Sequence, residues 1–512
     1  MKIAIFADTH LNSAPGTPQV EVLKWVLEAF EKSDAACAVF AGDITACGDI
    51  ESCILADKLL KNCRKEVFVV PGNSELRTSE TACVAERLFA PIPGGVVAED
   101  VRILGINTST DRILPAERKR LEKAGTENLV LYSHQDYWYL DEDSKGFISA
   151  WMRDRQEKGQ KILCWFSGHS HGRREREIEG VKCLTVRALD PDKCVGGPPE
   201  MVMFDTDTLE IESVEYTKDL FFNWSEAERK EFADSLGITL YKLKEDLRFA
   251  IDNGVKHLEL RSVYNPDEET LGLIDLWRKT CGKTLSMHLS EMFWDAENEQ
   301  VSVFPHYDEI IETAVRLKAE LATVHPPYES CETMSTRGIA FDALADVMAE
   351  KLRPLYENGM MIVVENNHTK MGDSRKCEDR KFGCGPMELY AWRNALNARL
   401  GKDACRLRFD IGHARNNVPV SQFCPLGSWY ALGGQDFYTY HMHQTRMYPG
   451  SVMKNHFEID GLDTGLVCFH GFMMAWHEGV LRHGPIILEI REDHKAPGTY
   501  LYLRDLLLKG EK

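Results

Sequence analysis

In its first 217 residues the chain alternates short, β-branched apolar runs with stretches whose apolar residues recur at helical spacing. KIAIFAD, ACAVFAGD, EVFVVPGN, LVLYSH and KILCWFSGH each read as a buried strand ending in a polar cluster. Between the first two, VEVLKWVLEAFEKS predicts a helix, so the order is strand–helix–strand, an α/β sheet with functional groups at strand carboxyl ends. After the last cluster, CLTVRAL, EMVMFDTD and LEIESVEYT predict short strands that close a sandwich.

From about Trp224 the units lengthen. A helix such as EDLRFAIDNG leads into HLELRS, followed by TLSMHLSE, LATVHPP, MMIVVENN, CRLRFDIGH, DFYTYHMH, GLVCFHGF and PIILEIRE. Eight strands separated by helix-length segments predict a (β/α)8 TIM barrel, whose working residues sit at strand carboxyl ends. The rhythm changes near Tyr216 to Ser225, in KDLFFNWSEAERK. The expected organisation is therefore an α/β sandwich domain over residues 1–217, a linker over 218–232 and a barrel over 233–512. A chain of 512 residues exceeds the size at which one core keeps growing, which agrees with two domains.

Composition narrows the setting. Hydrophobic content of 44% with 28% charged residues is that of a globular protein. MKIAIFADTH turns polar too soon for a signal peptide, and no apolar window is long enough to cross a bilayer, so a cytoplasmic protein without membrane contact is expected. Fifteen scattered cysteines fit a reduced compartment, and Cys377 and Cys384 in KCEDRKFGCG read as ordinary thiols rather than half a zinc site. The formal net charge is −19 and neither half is basic, which disfavours an extended nucleic-acid surface and leaves room for a small phosphorylated substrate. Assembly as a homo-oligomer is left open.

The polar clusters of the first half are Asp8-Thr9-His10, Gly42-Asp43, Gly72-Asn73-Ser74-Glu75, Ser133-His134 and Gly168-His169-Ser170-His171. Carboxylate, amide and imidazole donors suit Mn, Fe or Zn, and there are enough for two ions sharing one carboxylate. The constellation resembles the calcineurin-like metallophosphoesterases, whose pattern is D-x-H, G-D, G-N-H-[DE], H and G-H-x-H, over roughly residues 1–217. The resemblance implies a four-layer α/β/β/α sandwich and two divalent metals. Asp8, His10 and His171 would hold one metal and Asn73, His134 and His169 the other, with Asp43 bridging; Asp43, Asn73 and His134 would thereby be catalytic. Ser74 stands where that family has a His assisting the leaving group, so a substrate contact there would favour activated phosphodiesters.

The predicted strand ends of the second half carry Glu259, His288, His325, Glu365, Asp410 with His413, His441 with His443, His456 and Glu489. One acid or imidazole per strand is hard to explain by packing. The set resembles the xylose-isomerase-like barrels, a superfamily of sugar isomerases, epimerases and dehydratases that also holds DNA-repair enzymes of the endonuclease IV or AP-endonuclease-2 type. The resemblance, over residues 233–512, implies one or more Mn or Zn ions held by Glu365, Asp410, His441 or His443, and Glu489. These follow the fourth, fifth, sixth and eighth predicted strands. His288 and His325 would be further metal ligands. Glu365 and Glu489 would shuttle a proton at the carbon next to a carbonyl, and Arg446 in HMHQTRMYPG would contact substrate. The repair enzymes' Asp-x-His reads Lys454-Asn455-His456 here, a cation in place of a ligand, which with the acidic surface tilts the expectation away from DNA repair. The leading expectation is a two-module metalloenzyme, phosphoesterase joined to isomerase-like barrel. A repair nuclease with two phosphodiester-cleaving halves and a non-catalytic binding module are the alternatives.

Overall fold

Two sheets close on each other across the apolar residues of the first half in the computed structural model, which describes all residues except 14–15, 99–100, 217–223, 296, 338, 369–380, 418–419, 449–451, 492–494 and 510–512. One sheet has the order Ile211–Glu215, Glu200–Asp205, Lys2–Phe6, Cys37–Ala41, Val67–Val70, and its last three strands run parallel. The other has the order Val96–Ala98, Val101–Ile106, Asn128–Ser133, Ile162–Ser167, Val181–Thr185, Arg174–Ile178. Alternate residues point inward from both: Ile5, Val39 and Val70 share one buried core with Ile103, Val130 and Leu184. On its outer face the second sheet packs Leu104, Leu131 and Trp165 against Ile148, Trp151 and Met152 of helix Glu142–Glu157. Helix Pro18–Lys32, which follows the first strand of the other sheet, buries Val22, Leu23, Val26 and Phe30. The expected four-layer sandwich is thus present. Three of its strands escape the hydrophobic pattern, Val96–Ala98, Val101–Ile106 and Arg174–Ile178. The last is an edge strand, REREI, whose charged residues are mostly solvent-facing.

The second half forms a closed barrel of eight strands, Leu236–Leu240, His257–Arg261, Thr284–His288, Leu321–Val324, Met361–Glu365, Cys405–Asp410, Phe437–Met442 and Ile486–Leu488. All neighbours pair in parallel. Two details correct the predicted strand list. GLVCFHGF is not a barrel strand, for its second part enters helix His470–His477. The first strand, LGITL, was not predicted, because helix Glu226–Ser235 runs directly into Leu236 with no turn residue to separate them. The two errors cancel in the count but not in the order. Glu365, Asp410, His441 and Glu489 stand at the ends of the fifth, sixth, seventh and eighth strands, four consecutive neighbours around the mouth.

The chain divides into two compact units, Met1–Asp219 with Cys468–Met474 and Leu220–Val467 with Ala475–Lys512. Of the expected linker, residues 218–223 lie outside the described ones, and from Glu226 the chain is helical behind a capping box made by Ser225 and Glu228. Among the described residues the cysteines are free and no helix is long and apolar enough to cross a membrane; Cys377 is not among those described.

Candidate metal centres

In the sandwich, consecutive strand ends deliver the polar clusters to one place. The backbone locks them there: the Asp8 N–H donates to the Gly42 carbonyl at 3.0 Å and the His10 N–H to the Asp43 carbonyl at 3.0 Å. Asp8, His10, Asp43, His169 and His171 all have φ between 45° and 72°. Left-handed backbone is costly for residues with a Cβ and persists where the surroundings dictate it, so five such residues at one spot mark a built site.

Asp43 is the hub. Its Oδ2 lies 3.3 Å from His10 Nε2, and Asp8, His10, Asp43 and His171 offer ligand atoms within 4.8 Å of one another. Its Oδ1 lies 3.2 Å from His134 Nε2, which is 3.0 Å from Asn73 Oδ1 and 3.2 Å from His169 Nδ1. The other six residues singled out as ligands in the sequence therefore gather around the Asp43 carboxylate. Gly72 permits this, since a Cβ there would sit 2.2 Å from Asp43 Oδ1.

Ser74 is fully buried. Its backbone N–H and its hydroxyl each come within 2.9 Å of Asp43 Oδ1, as donors, and the hydroxyl lies 3.0 Å from Glu75 Oε1. This is the placement of a support for Asp43 rather than of a group facing substrate. Glu75, also buried, accepts from the Thr45 and Gly72 N–H groups at 2.8 and 2.7 Å and ties the loop together. Asp190, which no sequence pattern flagged, faces His10 Nδ1 at 3.3 Å and accepts from Gln19 at 2.8 Å. A carboxylate behind an imidazole fixes the ring's orientation and raises its basicity as a ligand.

Burial raises the Asp8 carboxyl to about 7. Burial works the same way on Asp43, but His134 and His10 outweigh it and hold that carboxyl well below the usual range. Burial, with His134 adding to it, pushes His169 down to about 4, leaving a neutral imidazole. Buried carboxylates, a carboxamide and imidazoles form a donor set that fits divalent cations of the Mn, Fe or Zn kind.

The barrel mouth gathers its own set. His441 Nδ1 lies 3.0 Å from Glu365 Oε1, 3.3 Å from Glu489 Oε2 and 3.7 Å from Asp410 Oδ2. His441 rather than His443 thus faces all three carboxylates. His288 Nε2 and His325 Nε2 approach Glu365 at 3.6 and 3.7 Å, and these three residues form a second group within 4.8 Å. A third group is His413, His443, His456 and Glu489. Here His443 Nε2 lies 3.1 Å from Asp410 Oδ1, and its Nδ1 accepts the His456 N–H at 3.0 Å. Both oxygens of Glu365, Oε2 of Glu489, Nδ1 of His441 and Nε2 of His288 are buried without a hydrogen-bond partner. Unsatisfied polar atoms are costly, and so many converging on one point fit a cation.

Two residues behind this cluster carry weight that the sequence did not show. Glu259 Oε1 lies 2.8 Å from His441 Nε2, and Glu259 Oε2 pairs with the fully buried Arg408. Burial opposes a charge on His441, but the carboxylates of Glu365 and Glu259 outweigh it and raise its pKa to about 10. Arg446 is engaged by Glu458 and Asp460, each at 3.3 Å, and lies over the Phe457 ring. The cations that line the cavity at the mouth, about 260 Å³ in volume, are Arg261, Lys454 and Arg491.

Residues 1–197 match the family model of the calcineurin-like phosphoesterases. The first half is thus similar to the calcineurin-like phosphoesterases, which supports a metal-dependent hydrolase. No curated protein matches the chain. Similar solved structures include a dimetal phosphatase from Danio rerio, at 13% identity over 42% of this chain and 99% of that one, with a TM-score of 0.30. Others are endonuclease IV from Thermus thermophilus, at 16% identity over 54% and 99% with a TM-score of 0.35, and the probable 3-DHS dehydratase AsbF from Bacillus anthracis, at 12% identity over 53% and 98% with a TM-score of 0.38.

Proposed function

We propose that the chain is an enzyme with two metal centres, a phosphoesterase over residues 1–217 acting on a small phosphorylated compound and a barrel over residues 233–512 that moves a proton at a carbon beside a carbonyl. The observation that carries the first part is Asp43, one buried carboxylate whose two oxygens face two separate imidazole sets. Asp8, His10 and His171 would hold one cation with it, and Asn73, His134 and His169 the other. When bound, such a pair supplies Lewis-acid activation of water and neutralises charge on the attacked phosphoryl group. The protein's share is to fix that geometry: Ser74 and Gly72 seat Asp43, and Asp190 orients His10. At the barrel mouth Glu365, Asp410, His441 and Glu489 would hold a cation. Glu365 and Glu489, two strand ends on either side of His441, would remove and return the proton. A second reading, phosphodiester cleavage in nucleic acid by both halves, draws support from the additional histidines His413, His443 and His456.

The direct test of the first centre is Asp43→Asn in the full chain, assayed on phosphomonoesters, diesters and cyclic phosphates. Loss of about 10³-fold or more in hydrolysis, with the circular dichroism spectrum unchanged and bound metal reduced, is expected. Wild-type rates and metal content would remove Asp43 from the centre.

A further inference from the structure

The cavity at the barrel mouth is lined by Arg261, Lys454 and Arg491, against the single lining carboxylate of Glu291 among the described residues. His325, His413 and His456, members of the groups of possible metal ligands, line the same cavity. Fixed cations beside a place suited to divalent metals also attract anions, so three of them around one cavity favour an anionic ligand there. Glu489 engages two of them. Arg261 and Arg491 both bond to one oxygen of that carboxylate, Oε1, and each guanidinium carries five N–H donors. Their side chains remain 27% and 39% exposed. Lys454 belongs to another element, strand Val452–Phe457, and is exposed.

We propose that this cavity takes a compact, phosphorylated carbonyl compound, with Arg261, Lys454 and Arg491 receiving the phosphoryl group while the carbon skeleton reaches Glu365 and Glu489. The inference rests on the proposed proton-transfer role of the barrel and names its substrate class. Phosphate fits better than carboxylate. Two guanidinium forks and an ammonium match a group with three outer oxygens and about two negative charges, more than a carboxylate offers. The volume argues for a small ligand, since about 260 Å³ falls below the roughly 300–1,000 Å³ of pockets for drug-sized molecules. Both centres would then act on the same chemical class, small phosphorylated metabolites.

The test uses the full chain carrying Asp43→Asn, loaded with manganese or zinc and titrated calorimetrically with ribose 5-phosphate and with ribose. Ribose 5-phosphate is expected to bind about tenfold or more tightly than ribose. Lys454→Gln should weaken the phosphorylated probe by about tenfold while leaving ribose binding and metal content unchanged. Equal binding of the two probes, or less than about a twofold loss in Lys454→Gln, would overturn the inference. Metal content separates this from failure of the barrel reading. If adding Glu365→Gln releases no metal, the barrel centre is wrong and the inference falls with it; if it does release metal and the probes bind alike, only the phosphate assignment falls.

Discussion

At the scale of single residues, Ser74 gives the sharpest consequence. Its hydroxyl is one of two donors to Asp43 Oδ1, the other being its own backbone N–H. Ser74→Ala keeps the backbone donor and removes the hydroxyl, which should cost about tenfold in hydrolysis and loosen metal retention by a similar factor, read by kinetics against competing chelator. An unchanged chelator midpoint would show that the serine does not seat Asp43. The same burial means that position 74 offers no acid to a departing alkoxide. Hydrolysis should therefore depend steeply on leaving-group acidity, with aryl phosphodiesters turning over faster than alkyl phosphomonoesters. A flat dependence would point to an acid elsewhere in the site.

At the scale of elements, the strand end is the unit in which function was legible. A short apolar run followed by Asp, Asn or His is visible in sequence because the buried strand and its polar terminus have opposite character. The structure brings Asp8, His10, Asp43, Asn73, His134, His169 and His171 together on that basis. What stayed hidden lacks such a contrast. Asp190 acts from a loop, and its partners are set by the tertiary fold; Glu259 looked like one more mouth residue, whereas it stands behind His441, buttressed by Arg408. LGITL was hidden because nothing punctuates its junction with the preceding helix, and GLVCFHGF misled because an apolar run entering a buried helix reads like a strand. The Glu259–His441 pair also predicts a pH dependence. With its pKa raised to about 10, His441 is protonated in the metal-free barrel at neutral pH, and a cation requires the neutral ring. The proton must leave, so metal affinity should rise with pH between about 6 and 9, by up to about tenfold per unit. Calorimetry at pH 7 in buffers of different ionisation enthalpy, on the Asp43→Asn chain, should register about one proton released per barrel metal. Zero release would take His441 out of the ligand set.

At the scale of the whole molecule, the question is whether the two centres serve small molecules or a polyanion. A protein that follows nucleic-acid phosphates gains affinity by releasing counterions from an excess of Lys and Arg, and this chain carries 61 such residues against 80 acids. The cations that the barrel does present at its mouth line a cavity of about 260 Å³, a volume suited to one phosphorylated group rather than to a duplex. The histidine-rich group of His413, His443 and His456 pulls the other way, so the outcome has to be read from reactions. The two centres use disjoint residues, and their chemistries should separate: Glu365→Gln should retain phosphoester hydrolysis, and Asp43→Asn should retain exchange of solvent deuterium into a phosphorylated sugar at the carbon beside its carbonyl. Incubated with duplex DNA containing an abasic site, the metal-loaded chain should leave the strand intact. Incision that vanishes in Glu365→Gln, with no deuterium entering any sugar, would replace the isomerase-like barrel by a repair nuclease and give the cationic rim a DNA phosphate as its ligand.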